Sequence, residues 1–264
     1  MSSIAVIAAM SSELTVLRKK TNSALKREKK GVRFFLGKAD GQQVILVQSG
    51  VGYRKAERAT SLLLESYSPD LIISAGYTGA LQPHLGAAEL VIAQNIYEKN
   101  LKDKDGNEPG QTIRLSVRVE DNIVSLARQL AEEIGLRYHD GHLMTSAKVV
   151  SDPASKKLLE QEHSLVAVDM ETAAVGRVAE KRGIPFLSIR SVLDPLDLRI
   201  DLPWEHFIDR GGEVKFGYKV LYLLKKPWVI WRFMRIYRNM GLASAALGMF
   251  IYHLIINWDS FAQS

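Results

Sequence analysis

VAVDMETAAV, Val166 to Val175, holds two carboxylates, Asp169 and Glu171, on either side of Met170, where an apolar run of strand length gives way to an alanine-rich run. SLVAVDM (164–170) suits a strand buried on both faces. ETAAVGRVAEKRG (171–183) takes up helical spacing, with Gly183 and Pro185 punctuating its end. Charge at such a junction costs free energy unless hydrogen bonds or a polar ligand meet it, which marks the junction as a candidate site. The period-two spacing lets both acids project to one face, with Met170 as a soft apolar surface beside them. The alternative is that they decorate a helix N-terminus, where the macrodipole favours carboxylates.

The same alternation extends outward. IAVIAA (4–9) reads as a strand, MSSELTVLRKK as a helix, and VRFFLGKADGQQVILVQSG as two strands around an Asp40-Gly41 turn. A helix over 53–67 follows, then a buried strand over 70–81 that runs into a glycine-bearing loop, then AAELVIAQNIYE and a polar loop over 100–111. The helix VEDNIVSLARQLAEEIG, the extended HLMTSAKVV and, beyond the junction, the strand PFLSIRSV complete the pattern. Alternating strands and helices predict a three-layer α/β/α domain with a mixed central sheet over residues 1–205, followed by a helical tail over 206–264.

The 264 residues are 47% hydrophobic and 24% charged, enough for one sizeable core. No cysteine is present, which excludes disulfides and thiolate metal sites. MSSIAVIAAMSSE has neither the basic leader nor the cleavage pattern of a secretory signal, so a cytoplasmic location is expected. Net charge is +6, yet residues 206–264 carry eight Lys and Arg against three acids, +5, and the rest only +1. A uniformly basic nucleic-acid binder is a poor description.

Other residues with chemistry have plain readings beside the functional ones. Glu13 stands in the first turn of a helix, where acids are common, and Asp194 belongs to an Asp-Pro step, usually a turn. Both nonetheless fall at or just beyond the carboxyl end of a strand, the edge where open α/β sheets bind ligands. DKDGN (103–107) resembles a calcium loop but places Arg114 at the twelfth position, where an acid is required. His139 and His142 have no evident third ligand, so neither a metal nor an organic cofactor is expected.

IAVIAAMSSE, VQSGVG, IISAGYTGAL, VAVDMETAAV and PFLSIRSVLDP, in this order, resemble the nucleoside phosphorylase and nucleosidase superfamily, in particular methylthioadenosine/S-adenosylhomocysteine nucleosidase. The resemblance implies cleavage of the N-glycosidic bond of an adenine nucleoside. It implies that Glu13 activates the nucleophile and that Asp194 helps protonate the leaving purine. Met170 and Glu171 would hold the ribose, with Asp169 beside them, and Val149 and Val150 would cup the adenine. Gly76, Tyr77 and Thr78 occupy the glycine loop, where hydrolytic relatives carry a small hydroxyl residue instead of Tyr77. Arg190 would sit near the nucleophile, and phosphate could be gripped by Arg190 or Arg54 with the backbone of Gly50 and Gly52. Water and inorganic phosphate therefore both stay open as the nucleophile.

In the tail, Lys225, Lys226, Arg232, Arg235 and Arg238 interleave with Trp228, Trp231, Phe233, Ile236 and Tyr237. This pattern suits an amphipathic helix in a membrane interface, with residues 219–258 as the contact, or else a helix packed on its own domain or a dimer partner. The run over 242–258 is shorter than a bilayer span, so insertion into one face of the membrane is expected rather than crossing. VAVDME, DPLD and LLKKP resemble the hopanoid-associated nucleoside phosphorylases, which implies adenosylhopane as substrate and a peripheral position on the inner membrane face. Two other readings stand beside it, a soluble methylthioadenosine/S-adenosylhomocysteine nucleosidase and an inactive nucleoside-binding scaffold at the membrane.

Overall fold

The computed structural model describes residues 2–99, 113–150, 153–195 and 230–261, with the backbone alone at 153, 154, 162, 163, 194 and 230–233. The polar loop over 100–111 and the basic tail segment over 206–229 lie outside the described residues. Among the described residues, ten strands and six helices follow one another: β1 (Ser3–Ala8), α1 (Ser11–Lys20), β2 (Ala24–Lys29), β3 (Val32–Ala39), β4 (Gln42–Gln48), α2 (Tyr53–Leu64), β5 (Leu71–Ala80), β6 (Leu90–Lys99), β7 (Arg114–Arg118), α3 (Asp121–Glu133), β8 (Tyr138–Ser146), α4 (Pro153–His163), β9 (Leu165–Asp169), α5 (Thr172–Lys181), β10 (Phe186–Asp194) and α6 (Ile230–Phe261).

The strands form one mixed sheet in the order β10-β6-β8-β9-β5-β1-β4-β3-β2, with β7 beside β6. β10 also pairs with β5, so β5, β10, β6, β8 and β9 close into a ring while β1 to β4 extend it. β1, a run of Ile, Val and Ala, lies parallel between β4 and β5 and is buried along nearly its whole length, as both-face burial requires. Asp40 (φ 47°) and Gly41 (φ 80°) take the left-handed conformations of the tight turn between β3 and β4. Helices α2 and α5 pack together, and α1 packs with α6, completing the α/β/α layers.

Two differences from the sequence reading bear on the site. The segment expected to leave β5 as a glycine loop continues as strand to Ala80, because its partners β10 and β9 run alongside Gly76 to Ala80. The apolar run expected to insert into one face of the membrane also turns one face into the core. Ala243, Leu247, Phe250, Ile251, Leu254 and Ile255 recur at helical spacing and are almost wholly buried, in the cluster that also holds Leu14 and Leu17 of α1. Gly248 permits that approach, since a Cβ there would lie 2.7 Å from the Val16 Cβ. The helix is long and apolar enough to cross a membrane, but half of its most apolar window is buried against protein. Ser244 Oγ donates to the Ser12 carbonyl at 2.7 Å, and Asn239 Nδ2 to the Leu193 carbonyl at 3.2 Å, fixing the helix across the sheet edge.

Candidate active site

The quoted junction folds as its composition predicts: β9 ends at Asp169, α5 begins at Thr172, and only Met170 and Glu171 lie between. They open into a cleft at the carboxyl ends of β1, β5 and β9, with about 180 Å³ of free volume. That is more than ten times the space a single water needs, and the walls are mainly apolar. Glu13, Asp169, Met170, Glu171, Tyr77, Thr78, Val149 and Val150 all line it, as the sequence reading requires.

The two acids of the junction part company. Asp169 is buried and accepts from Thr145 Oγ1 at 2.7 Å, from Thr172 N–H at 2.9 Å and from Thr172 Oγ1 at 2.5 Å. Its Oδ2 also pairs with Arg190 Nη2 at 2.7 Å, both groups being essentially inaccessible to water. Asp169 therefore caps α5 and neutralises a buried cation. Glu171 turns the other way, accepting the N–H of Gly52 at 2.7 Å. Gly52 (φ 107°) precedes α2 in a conformation that favours glycine, and this presents its N–H to the carboxylate. Burial, with the nearby Asp169 charge, pushes the Glu171 carboxyl up to about 8, against the pull of Arg190.

Glu13 comes from the first turn of α1 and is also buried. Its Oε2 accepts the Met10 N–H and its Oε1 the Tyr77 N–H, each at 2.8 Å, so helix and sheet fix it together. Burial raises its pKa, outweighing the Tyr77 N–H and the Arg190 charge, which both lower it. A raised carboxylate is a stronger base, the property proton abstraction needs. Gly76 makes this approach possible: a Cβ there would lie 2.2 Å from Arg190 Nη1 and 2.8 Å from Glu13 Oε1.

Arg190 does not reach the cleft. It is 1% exposed and donates to Thr172 Oγ1 at 2.6 Å and Ser74 Oγ at 2.8 Å besides its pairing with Asp169. The phosphate grip read from the sequence is likewise not assembled: Gly50 and Gly52 stand behind the wall, Val51 between them faces the cleft, and Arg54 is exposed on α2 beside Arg58, Lys181 and Arg182. Tyr77 keeps its backbone N–H on Glu13 but sends its hydroxyl to α6, 3.4 Å from the Met240 carbonyl. Burial and the Glu13 charge hold its phenol far above the ordinary value. Thr78 Oγ1 is engaged by the Val168 carbonyl at 2.8 Å. Asp194 closes β10 opposite Gly79, and its side chain lies outside the described residues.

His139 Nε2 contacts Glu89 at 2.7 Å and His142 Nδ1 contacts Asn95 at 3.3 Å, so the two imidazoles serve separate partners. Sequence reasoning missed Met10, Lys148, Leu193 and Met240 in the cleft wall. Met240 could not have been found locally, since it meets Tyr77 across 163 positions. Thr145 carried a faint signal as a hydroxyl in the last turn of an otherwise apolar strand segment, LMTS.

Residues 3–216 match the phosphorylase superfamily. The methylthioadenosine/S-adenosylhomocysteine nucleosidase of Bacillus cytotoxicus is 31% identical over 229 residues, covering 84% of this chain and 99% of that one. The corresponding Geobacillus kaustophilus protein is 30% identical over 216 residues, covering 79% and 91%. In fold, the chain is similar to the Neisseria meningitidis nucleosidase crystallised with methylthio-immucillin-A, at a TM-score of 0.74 and 19% identity over 97% of this chain and 100% of that one. It is similar also to futalosine hydrolase of Helicobacter pylori, at a TM-score of 0.75 and 17% identity over 97% and 99%. Matched over most of its length and carrying the expected strand-edge acids, this chain belongs to the phosphorylase superfamily.

Proposed function

We propose that the protein hydrolyses the N-glycosidic bond of an adenine nucleoside, and that its substrate carries a large apolar substituent, with adenosylhopane as the named candidate. The carrying observation is that Glu13 and Glu171, from beyond the carboxyl ends of β1 and β9 on either side of β5, face one cleft with raised pKa values and backbone N–H groups fixing each. Water attacks C1′ as the bond from C1′ to N9 breaks, and its electron pair leaves with adenine. Glu13 takes the water proton, and Asp194, in the role its sequence context implies, gives a proton to N7. Glu171 holds the ribose hydroxyls while Met170 excludes solvent, so the sugar is kept in place as its cationic character develops.

Water is favoured over phosphate by charge. Among the described residues lining the cleft, Glu13, Asp169 and Glu171 are acids and Lys148 alone is a cation, while Arg190 is bound by Asp169. An incoming phosphate would meet three acids, with no guanidinium among the described lining residues to grip it. An apolar substituent is favoured by Met10, Leu193 and Met240 in the wall and by Val149, half exposed at the rim. The curated relatives favour a second reading, turnover of soluble methylthioadenosine or S-adenosylhomocysteine. An inactive scaffold is disfavoured, since the Tyr77 hydroxyl leans on α6 rather than on Glu13.

The test measures adenine release by the full-length protein in lipid vesicles, from adenosylhopane and methylthioadenosine in parallel, with and without phosphate. Release from the lipid nucleoside without phosphate supports the reading. Release from methylthioadenosine alone moves the assignment to the soluble substrate, and strict phosphate dependence overturns the choice of nucleophile.

A further inference from the structure

Eight large hydrophobic side chains stand exposed among the described residues, and four of them, Met234 (57%), Tyr237 (50%), Leu242 (51%) and Met249 (41%), belong to α6. At 100° per residue they share the arc opposite the buried face of Ala243, Leu247, Phe250 and Leu254. Arg235 and Arg238 are exposed on the same arc, and no acid occurs between Met234 and Asn257. Among the described side chains the helix is thus apolar on both sides, with two cations, Arg235 and Arg238, on the outer side near its beginning. Burial of the inner side in the core leaves the outer side to be explained.

We infer that this outer face of α6 docks on an anionic lipid surface, with Leu242 and Met249 in the acyl boundary and Arg235 and Arg238 among the headgroup phosphates. A helix lying in an interface has this composition, apolar side chains in one sector with arginines beside them. A second copy of this chain is the weaker occupant, because a twofold contact would bring both arginines of each copy against a single acid of α6, Asp259, which already accepts from Ser2 Oγ at 2.6 Å. The docking deepens the substrate reading above and rests on it for its purpose: Met240, on the cleft side of the same helix, lines the cleft, and Asn239 holds Leu193 beside it. Docking through α6 therefore brings the cleft wall close to the bilayer, where a lipid-linked nucleoside resides.

The experiment is flotation of the full-length protein with vesicles of phosphatidylcholine alone or mixed with phosphatidylglycerol. Wild type is compared with M234S/L242S/M249S and with R238E, and adenine release from adenosylhopane and from methylthioadenosine, both dispersed in detergent, is measured in parallel. Wild type is expected to float with the anionic vesicles, the triple variant to bind at least about tenfold more weakly, and R238E to lose most of the anionic preference. Equal adenine release by wild type and variants would show that the fold and cleft are intact. If wild type stays behind with both vesicles, or the variants float as well as wild type, the docking is overturned. A dimer that the triple variant splits, without lipid binding, would assign the face to a second copy. Flotation without adenine release from any nucleoside would leave the docking standing and defeat the functional reading instead.

Discussion

Glu13 is held by two backbone N–H groups from different elements, so replacing its carboxylate by the isosteric amide removes the base with little change in shape. Glu13→Gln is expected to lower adenine release by about two to four orders of magnitude, far beyond the modest fall in melting temperature from the one backbone N–H that its amide nitrogen cannot meet. Retained activity would remove Glu13 from the chemistry. Arg190 calls for the opposite result. It never enters the cleft, and Arg190→Met leaves Asp169 buried and uncompensated. The expected loss is about 3–5 kcal/mol of stability, read by urea denaturation, with binding of a nucleoside analogue weakened only as far as folding is weakened. An Arg190→Met protein of wild-type stability would show that the pair is dispensable. Of these residue-level features, the sequence marked Asp169 and Glu171 as candidates but not how they divide: spacing alone left them equivalent, and the partners that separate them, Thr145, Arg190 and Gly52, come from remote parts of the chain.

Elements bounded by strong local signals were read nearly to the residue. β9, α5 and the turn at Asp40-Gly41 are examples, because their burial patterns and turn chemistry leave few alternatives. The short β2 and β7 were not visible: ALKREK is mostly charged and RLSVR is brief, and each is a strand by virtue of its neighbour. The run over 242–258 shows why composition misleads there. Apolar periodicity is equally consistent with lipid or with another helix, and only the presence of Val16 and Leu17 under Gly248 assigns the inner face to a helix. Gly248→Val is expected to force α1 and α6 apart and to destabilise the protein by about 1–3 kcal/mol, seen as a lower urea midpoint. An unchanged midpoint would mean that the two helices are not in close contact.

For the molecule as a whole, the buried acids set a pH dependence. Glu13 and Glu171 both bind a proton more tightly in the folded state than a free carboxyl does. Between the ordinary carboxylate value of 4.5 and about 8 for Glu171, the folded protein therefore holds more protons than the unfolded chain, and its stability falls as pH rises through that window. Thermal melts at pH 5 and pH 8 should show a smaller drop for Glu171→Gln than for wild type, and equal drops would show that Glu171 does not titrate in this way. The α/β/α layers were legible because alternating patterns leave few topologies. Closure of β5, β10, β6, β8 and β9 into a ring was not, since register between distant strands has no local signature.

The contact of Ser12 with Ser244 spans 232 positions, and Met240 closes a wall whose other members include Met10 and Glu13. On a ribosome Glu13 emerges early and waits for nearly the whole remaining chain before the cleft acquires its last side. During that interval Leu14, Leu17 and Val16 have no helix to cover them, so the growing chain is both inactive and adhesive until α6 arrives.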